Sequence, residues 1–186
     1  MKGKILIIAI SISVCCSTPK TSAELTKEGR KKLYSIESEQ RLNQAIQLDS
    51  NNHEAYYLLG DNHRMKYMLQ RNEIDFDSAV ICFLKAINIG SSMNSLYYFM
   101  LGEIYQYRGA MKEKSGIYDI DASYLNSAIS VYSKSISTDS SNGQVYYSRA
   151  RCYHFLGDSA SDRRDLTKAC SIGHHMSCLV LNIEKK

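Results

Sequence analysis

Three segments of the chain repeat one spacing of bulky and small residues. In each segment an aromatic residue is followed three and four positions later by Leu–Gly or Arg–Ala, and seven positions later by another ring. These segments start at Tyr56, Tyr98 and Tyr146. Each continues with a small or polar residue four positions before a bulky one. The second pairs are Ala79 and Phe83, Ala128 and Tyr132, and Asp162 and Leu166.

The repeated spacing predicts pairs of packed α-helices. Spacings of three, four and seven place the repeated residues on one face of a helix. A small residue opposite a large one is typical of two antiparallel helices that cross closely, because a ring can then lie against the backbone. We expect Tyr98 to pack against small residues of its partner helix, including Ala128, and Gly102 to lie at the crossing.

Length and composition agree with a helical domain. The 186 residues suffice for one domain with a real core, and 44% apolar with 23% charged residues is ordinary globular composition. One proline and ten glycines argue against a loop-rich β protein.

The repeated motif resembles the tetratricopeptide repeat (TPR), whose signature is W-x2-L-G-x2-Y followed by A-x3-F. Tyr56, Tyr98 and Tyr146 stand in place of the leading Trp. The resemblance covers about residues 30–183 and implies an all-α fold, a right-handed α-solenoid of antiparallel helix pairs. It places a TPR-like domain at 33–186, with units at about 53–90, 95–139 and 143–173 plus flanking helices.

The first two units depart from the family by insertions near residues 66–75 and 109–121. We expect longer turns there, with extra helical turns. The acidic residues at the end of each insertion are interpreted as helix N-caps. The candidates are Asp75 or Asp77 in the first insertion and Asp119 or Asp121 in the second. A metal site is not expected, because the ligand spacing and glycine of a calcium loop are absent.

The resemblance also implies a binding groove on the first helices of the units. In TPR arrays, the positions one, five and eight after the key aromatic residue line the concave face. The matching residues are Tyr57, Asp61, Arg64, Phe99, Glu103, Gln106, Tyr147, Arg151 and His154. Aromatic rings with mixed polar neighbours are typical of protein-binding faces. The sequence therefore predicts an interaction adaptor with a protein or peptide partner; the rings could instead merely cover a helix layer.

The first residues resemble a secretory signal peptide, with Lys2 and Lys4 before an apolar run at 5–16 that is too short to span a bilayer. The run ends at two cysteines, as in bacterial lipoprotein signals, which implies lipidation of Cys16, or alternatively Cys15. Cleavage after Ala23 remains open. We expect a signal at 1–16, a tether at 17–32 and a membrane-anchored protein of the cell envelope, or otherwise a periplasmic or secreted one.

The C-terminal segment is similar to Sel1-like repeats, whose secreted members link consecutive helices through two cysteines eight positions apart. Cys170 and Cys178 have this spacing, and the resemblance implies a disulfide between them. An exported compartment would permit that bond. Cys82 and Cys152 are interpreted as buried small apolar residues.

Charge and motifs exclude several other functions. Lys2 and Lys4 are two of the 23 Lys and Arg residues, against 19 Asp and Glu, so the chain without them carries a net charge of +2. That balance does not predict nucleic-acid binding. Common nucleophile, phosphate-binding and zinc motifs are missing, and His174 with His175 is interpreted as a helix start. We expect that the protein is not an enzyme and that it uses no cofactor, metal or small-molecule substrate. The alternatives to the adaptor function are a secreted Sel1-like repeat protein and an accessory factor of an envelope enzyme.

Overall fold

A computed structural model describes residues 19–90, 92–112 and 116–183. The elements are helices α1 (Ser22–Lys31), α2 (Ile36–Leu48), α3 (His53–Gln70), α4 (Glu73–Ile89) and α5 (Asn94–Gly109), strands β1 (Ala110–Lys112) and β2 (Tyr118–Ile120), and helices α6 (Ala122–Thr138), α7 (Gly143–Phe155), α8 (Ser159–Ser171) and α9 (His175–Ile183).

Consecutive helices pack in pairs, α1 with α2, α3 with α4, α5 with α6, and α7 with α8, while α9 lies on α8. The first helices of successive pairs also contact one another, from α1 through α3 and α5 to α7. The last three pairs fall within the predicted units. This stacking brings α3, α5 and α7 side by side, which is the layer that carries the predicted groove.

Side-chain caps begin most of these helices, because the first backbone N–H groups of a helix have no partner within it. The capping residues whose side chains accept a backbone N–H are Thr21, Ser35, Asn52, Asn72, Asp121, Asn142 and Asp158. Asp121 is one of the predicted caps. Asp75 and Asp77 are not caps, because the capping residue of α4 is Asn72, three residues before Asp75.

Small residues lie where helices cross, as the repeated spacing predicts. A Cβ atom added at Gly60 would meet the Phe83 ring at 3.0 Å, and one added at Gly102 would meet the Tyr132 ring at 2.4 Å. Both rings are fully buried. The crossing of α5 with α6 therefore depends on the absence of a side chain at Gly102.

The two insertions have different structures. The first extends α3 and α4 by helical turns, as expected, with Arg71 in the left-handed conformation (φ 56°) between them. The second is an antiparallel hairpin in which β1 pairs with β2, so the expected helical turns are wrong there. Ile117, Tyr118 and Ile120 favour strand conformation, and Gly116, shortly before β2, has φ 87°.

The N-terminal part of the described chain is helical where a tether was expected at residues 17–32. α1 buries Leu25, Thr26 and Gly29, and it begins with a complete capping box in which Thr21 and Glu24 bond each other's backbone N–H groups. The Thr-x-x-Glu spacing is a helix start signal. The predicted signal at 1–16, with Cys15 and Cys16, lies outside the described residues.

Within the described ranges, none of the helices combines the length and the apolar character that crossing a bilayer requires.

Candidate binding groove

Four of the predicted groove residues line one pocket of about 120 Å³, which we call the groove pocket. They are Arg64 of α3, Glu103 and Gln106 of α5, and Arg151 of α7. Met68, Tyr107, Ala110 and Phe155 complete its walls. The pocket is thus assembled from the first helices of three successive pairs and from the start of the hairpin.

Arg64 lines the pocket on the α3 side and is paired with Asp61 of the same helix. Asp61 is 6% exposed, and its Oδ1 accepts from Arg64 Nε at 2.8 Å and from Nη2 at 2.6 Å. The Tyr34 hydroxyl donates to the other carboxylate oxygen at 2.8 Å. The charge of Asp61 is therefore compensated by Arg64, and neither residue relies on a ligand for its partner.

Tyr34 binds the predicted groove residue Asp61, a contact that the sequence did not reveal. It lies between α1 and α2 in the left-handed conformation (φ 68°), and its backbone N–H donates to Asn62 Oδ1 at 2.7 Å. Burial, followed by the hydrogen bond to Asp61, raises the pKa of Tyr34 to about 12. Nothing in the repeated motif marks this position, because the contact joins a loop of one pair to the first helix of the next.

The pocket residues Glu103 and Gln106 of α5 take part in a hydrogen-bond network with side chains of α6 and α7. Glu103 Oε1 accepts from the Tyr132 hydroxyl and from the Ser148 hydroxyl, each at 3.0 Å, and the Tyr132 hydroxyl also lies 2.8 Å from Gln106 Oε1. Gln106 is 6% exposed, yet its Nε2 has no hydrogen-bond acceptor among the described residues. Complete burial, with the nearby charge of Glu103, holds the pKa of Tyr132 well above its usual range.

The side of the pocket on α7 is more open. Arg151 is exposed, and no described residue forms a salt bridge with it. His154 lies one turn further on and does not line the groove pocket; its Nδ1 is 3.4 Å from Asp162 Oδ2. The guanidinium of Arg151 is therefore available at the pocket.

The predicted aromatic positions do not meet in the groove pocket. Tyr57, Phe99 and Tyr147 are each half-buried, and each contacts a different ring. Their partners are Tyr97, Tyr132 and His174, with ring centres 5.1, 6.0 and 4.8 Å away respectively. Tyr57 lines a second pocket of about 250 Å³ with Tyr97, His53 and Leu96. A role for these rings in binding stays a prediction.

The cysteines and histidines at the C-terminal end hold helices in place. A disulfide joins Cys170 of α8 to Cys178 of α9, the pairing that the Sel1-like resemblance implies. His174 contacts Ser177 Oγ through Nδ1 at 2.9 Å and Gln144 Oε1 through Nε2 at 3.0 Å. Both ring nitrogens of His174 are thus engaged at the start of α9, and the described residues contain no group of three His, Cys, Asp or Glu suited to a metal.

The remaining described thiols are buried and unreactive. Burial raises the pKa of Cys82 to about 11 and that of Cys152 to about 12. The nucleophilic thiolate is therefore disfavoured at neutral pH.

Solved structures with the same architecture identify the fold. The crystal structure of MamA is similar with a TM-score of 0.65 at 21% identity, over 84% of this chain and 80% of that one. MamA MSR-1 C2 gives a TM-score of 0.59 at 17% identity, over 83% and 76%. No protein-family model and no curated protein matches the chain. The likeness shows a TPR-type fold and confirms the predicted class, a right-handed α-solenoid of antiparallel helix pairs.

Proposed function

We propose that the protein is a non-catalytic adaptor that binds a segment of another protein in the concave groove formed by α3, α5 and α7. The observation that carries this proposal is the groove pocket, which three successive helix pairs build together. It presents a buried amide nitrogen of Gln106 and the guanidinium of Arg151, both without a partner among the described residues. A buried polar atom normally has a partner, so the unpartnered amide nitrogen of Gln106 supports a ligand there.

The chemistry of the groove pocket supports binding rather than catalysis. General acid–base chemistry needs a group whose pKa lies near the working pH. The Tyr132 phenol has its pKa held far above neutrality, and the Glu103 oxygen that it contacts also accepts from Ser148. These described groups are arranged to hold one another in place, which suits a binding surface.

Site-specific photocrosslinking in cells tests the adaptor. A benzophenone side chain in place of Phe155, a half-buried residue of α7 that lines the groove pocket, should crosslink to a defined partner. The same group in place of Ile81, which is 58% exposed on α4, is the control and should give no such product. Equal products at both positions would contradict the groove as the binding face.

We further propose that the chain is exported and anchored in the cell envelope through a lipid on Cys16. The packing of α1 supports this ending of the signal over cleavage after Ala23. Ser22 Oγ donates to the Ala45 carbonyl at 2.8 Å and accepts from Asn52 Nδ2 at 2.8 Å, and Thr21 caps the helix. Cleavage after Ala23 would remove these contacts from the first turn of α1.

Mass spectrometry of the mature N-terminus tests the anchor. We expect an acylated peptide that begins at Cys16 and is absent from a Cys16→Ser variant. A Cys15→Ser variant is the matched control and should keep the acyl chain. An unacylated peptide beginning at Glu24 would contradict the lipoprotein and leave a periplasmic or secreted protein.

A further inference from the structure

The groove pocket has two opposite poles, and we propose that it binds a neutral primary carboxamide, the side-chain head of a Gln or Asn residue in the partner segment. This inference rests on the proposed adaptor function and names the group that the groove recognises. It begins from Gln106, a residue of which only 6% is exposed. Its side chain lines the pocket, and its Nε2 is buried without an acceptor among the described residues.

Two charged residues of opposite sign line the same pocket, one on α5 and one on α7. Glu103 of α5 accepts only from hydroxyl groups and forms none of the described salt bridges. Arg151 of α7 lines the same pocket and is likewise outside the described salt bridges. Among the described residues, no Arg151 nitrogen lies within 4.0 Å of a Glu103 carboxylate oxygen, so the two charges do not pair with each other across the pocket.

This arrangement disfavours a charged ligand. A carboxylate would gain from Arg151 but would lie beside the Glu103 carboxylate, and an ammonium group would gain from Glu103 but would lie beside the Arg151 guanidinium. Like charges at close range cost free energy, most strongly where water is partly excluded. Arg64 is already compensated by Asp61 and does not offset the repulsion from Glu103.

A primary carboxamide meets both poles without a net charge. Its oxygen can accept from Arg151 and Gln106, and its NH2 group can donate to Glu103. It can pair with the Gln106 amide whichever amide atom faces the pocket, because both amides carry a donor and an acceptor. Met68 and Phe155 supply apolar walls for the methylene groups of a Gln side chain.

The test is an NMR titration of the 15N-labelled protein with three probes that differ only in the side-chain head. These are the N-acetyl, N′-methylamide derivatives of glutamine, glutamate and lysine. Ligands of this size are expected to bind with a Kd on the order of 1 mM. We expect saturable shifts of the Gln106 side-chain NH2 and the Ala110 backbone amide with the glutamine probe, and binding at least ~10-fold weaker for the other two.

Two charge-removing variants make the pairing specific. Glu103→Gln should let the glutamate probe bind about 10-fold more tightly while the lysine probe stays weak, which a merely structural role of Glu103 would not produce. Arg151→Gln, at an exposed position, should weaken the glutamine probe about 10-fold. Glu37→Gln removes the same charge from α2, far along the chain from the pocket residues, and should change neither preference.

Each other outcome overturns the carboxamide proposal in a distinct way. Stronger binding of the glutamate probe would make the pocket a carboxylate site. Equal binding of all three would indicate main-chain recognition, because the probes share their two backbone amides. No shift with any probe would show that the pocket does not recognise a side-chain head. In each case the photocrosslinking result still decides whether the groove binds a partner.

Discussion

Gly102 faces the Tyr132 ring so closely that no side chain fits between α5 and α6. The ring cannot easily move away, because Tyr132 is fully buried and its hydroxyl bonds Glu103 and Gln106. The same glycine thus permits the helix crossing and lets the Tyr132 hydroxyl reach Glu103 and Gln106, two residues that line the groove pocket. Packing and site geometry depend on one residue.

Gly102→Ala is therefore expected to lower the free energy of unfolding. Overpacking costs typically about 1–3 kcal/mol, whereas Ala favours a helix over Gly by only about 1 kcal/mol. Gly60→Ala is the matched variant, because its added Cβ would lie 3.0 Å from the Phe83 ring, whereas a Cβ at Gly102 would lie 2.4 Å from the Tyr132 ring. Urea unfolding should find Gly102→Ala less stable than Gly60→Ala by at least ~1 kcal/mol. Equal stabilities would contradict the packing described at this crossing.

The Tyr67 phenol should make stability fall at alkaline pH. Burial, with a smaller contribution from the charge of Glu73, raises the pKa of Tyr67 to about 12, against about 10 in an unfolded chain. The folded state therefore keeps its proton where the unfolded state loses it, so the stabilisation is complete below pH 10 and is lost as pH rises toward 12. Tyr67→Phe should flatten the fall in unfolding free energy over this range. The same slope in both proteins would show that Tyr67 is not a cause.

At the scale of elements, α9 differs from the other helices in how it is held. Its described apolar side chains are at most half-buried, and Ser177 is its only fully buried residue among 175–182. The disulfide to α8 and the hydrogen bonds of His174 add to its packing on α8. Covalent attachment therefore supplements apolar packing at this end of the array.

Loss of the disulfide should free α9 without unfolding the array. The chain-entropy estimate for so short a loop is ~2–3 kcal/mol, and it applies only to the segment that unfolds. Hydrogen exchange of a Cys170→Ser, Cys178→Ser variant should show faster exchange in α9 and unchanged protection in α3 and α4. A Cys82→Ser variant is the comparison for a described free thiol. Faster exchange throughout the double variant would show that α9 is part of one cooperative unit.

At the scale of the molecule, the sequence predicted the repeated helix pairs and missed features that occur once. The spacing around Tyr56, Tyr98 and Tyr146 was sufficient for the helix pairs, because each pair solves the same packing problem. The repeated spacing did not predict the contact of Tyr34 with Asp61 or the β1–β2 hairpin, because each occurs once. Tyr98 packs beside the cluster around Tyr67 and Leu101, whereas Ala128 belongs to the next cluster.

The groove pocket was predicted only in part for the same reason. Family positions identified Arg64, Glu103, Gln106 and Arg151, since helix periodicity decides which residues face the groove. Periodicity does not reveal that Tyr132 and Ser148 converge on Glu103 from two other helices. Hydrogen-bond networks between elements need the three-dimensional arrangement.

A buried ion pair joins α7 to α8, and its removal tests how far a local loss of stability spreads along the array. Arg149 Nε and Nη2 donate to the two oxygens of Asp165 at 2.6 and 2.9 Å, and Nη1 donates to Ser133 Oγ at 2.8 Å. Asp165 is 2% exposed. The network thus holds α7 to α8 and to α6, and its loss would leave Arg149 without its carboxylate partner.

Asp165→Ala should destabilise the C-terminal half of the array selectively. Leaving one partner of a buried ion pair uncompensated costs about 3–5 kcal/mol, and in a stacked array each unit contacts only its neighbours. Hydrogen exchange should therefore rise strongly in α7 and α8, less in α6, and little in α1 to α4. Asp77→Ala, at an exposed position of α4, makes the same chemical change and should leave exchange unaltered. If Asp165→Ala raises exchange equally in every helix, the array unfolds as one unit and its stability is not a sum of neighbouring pairs.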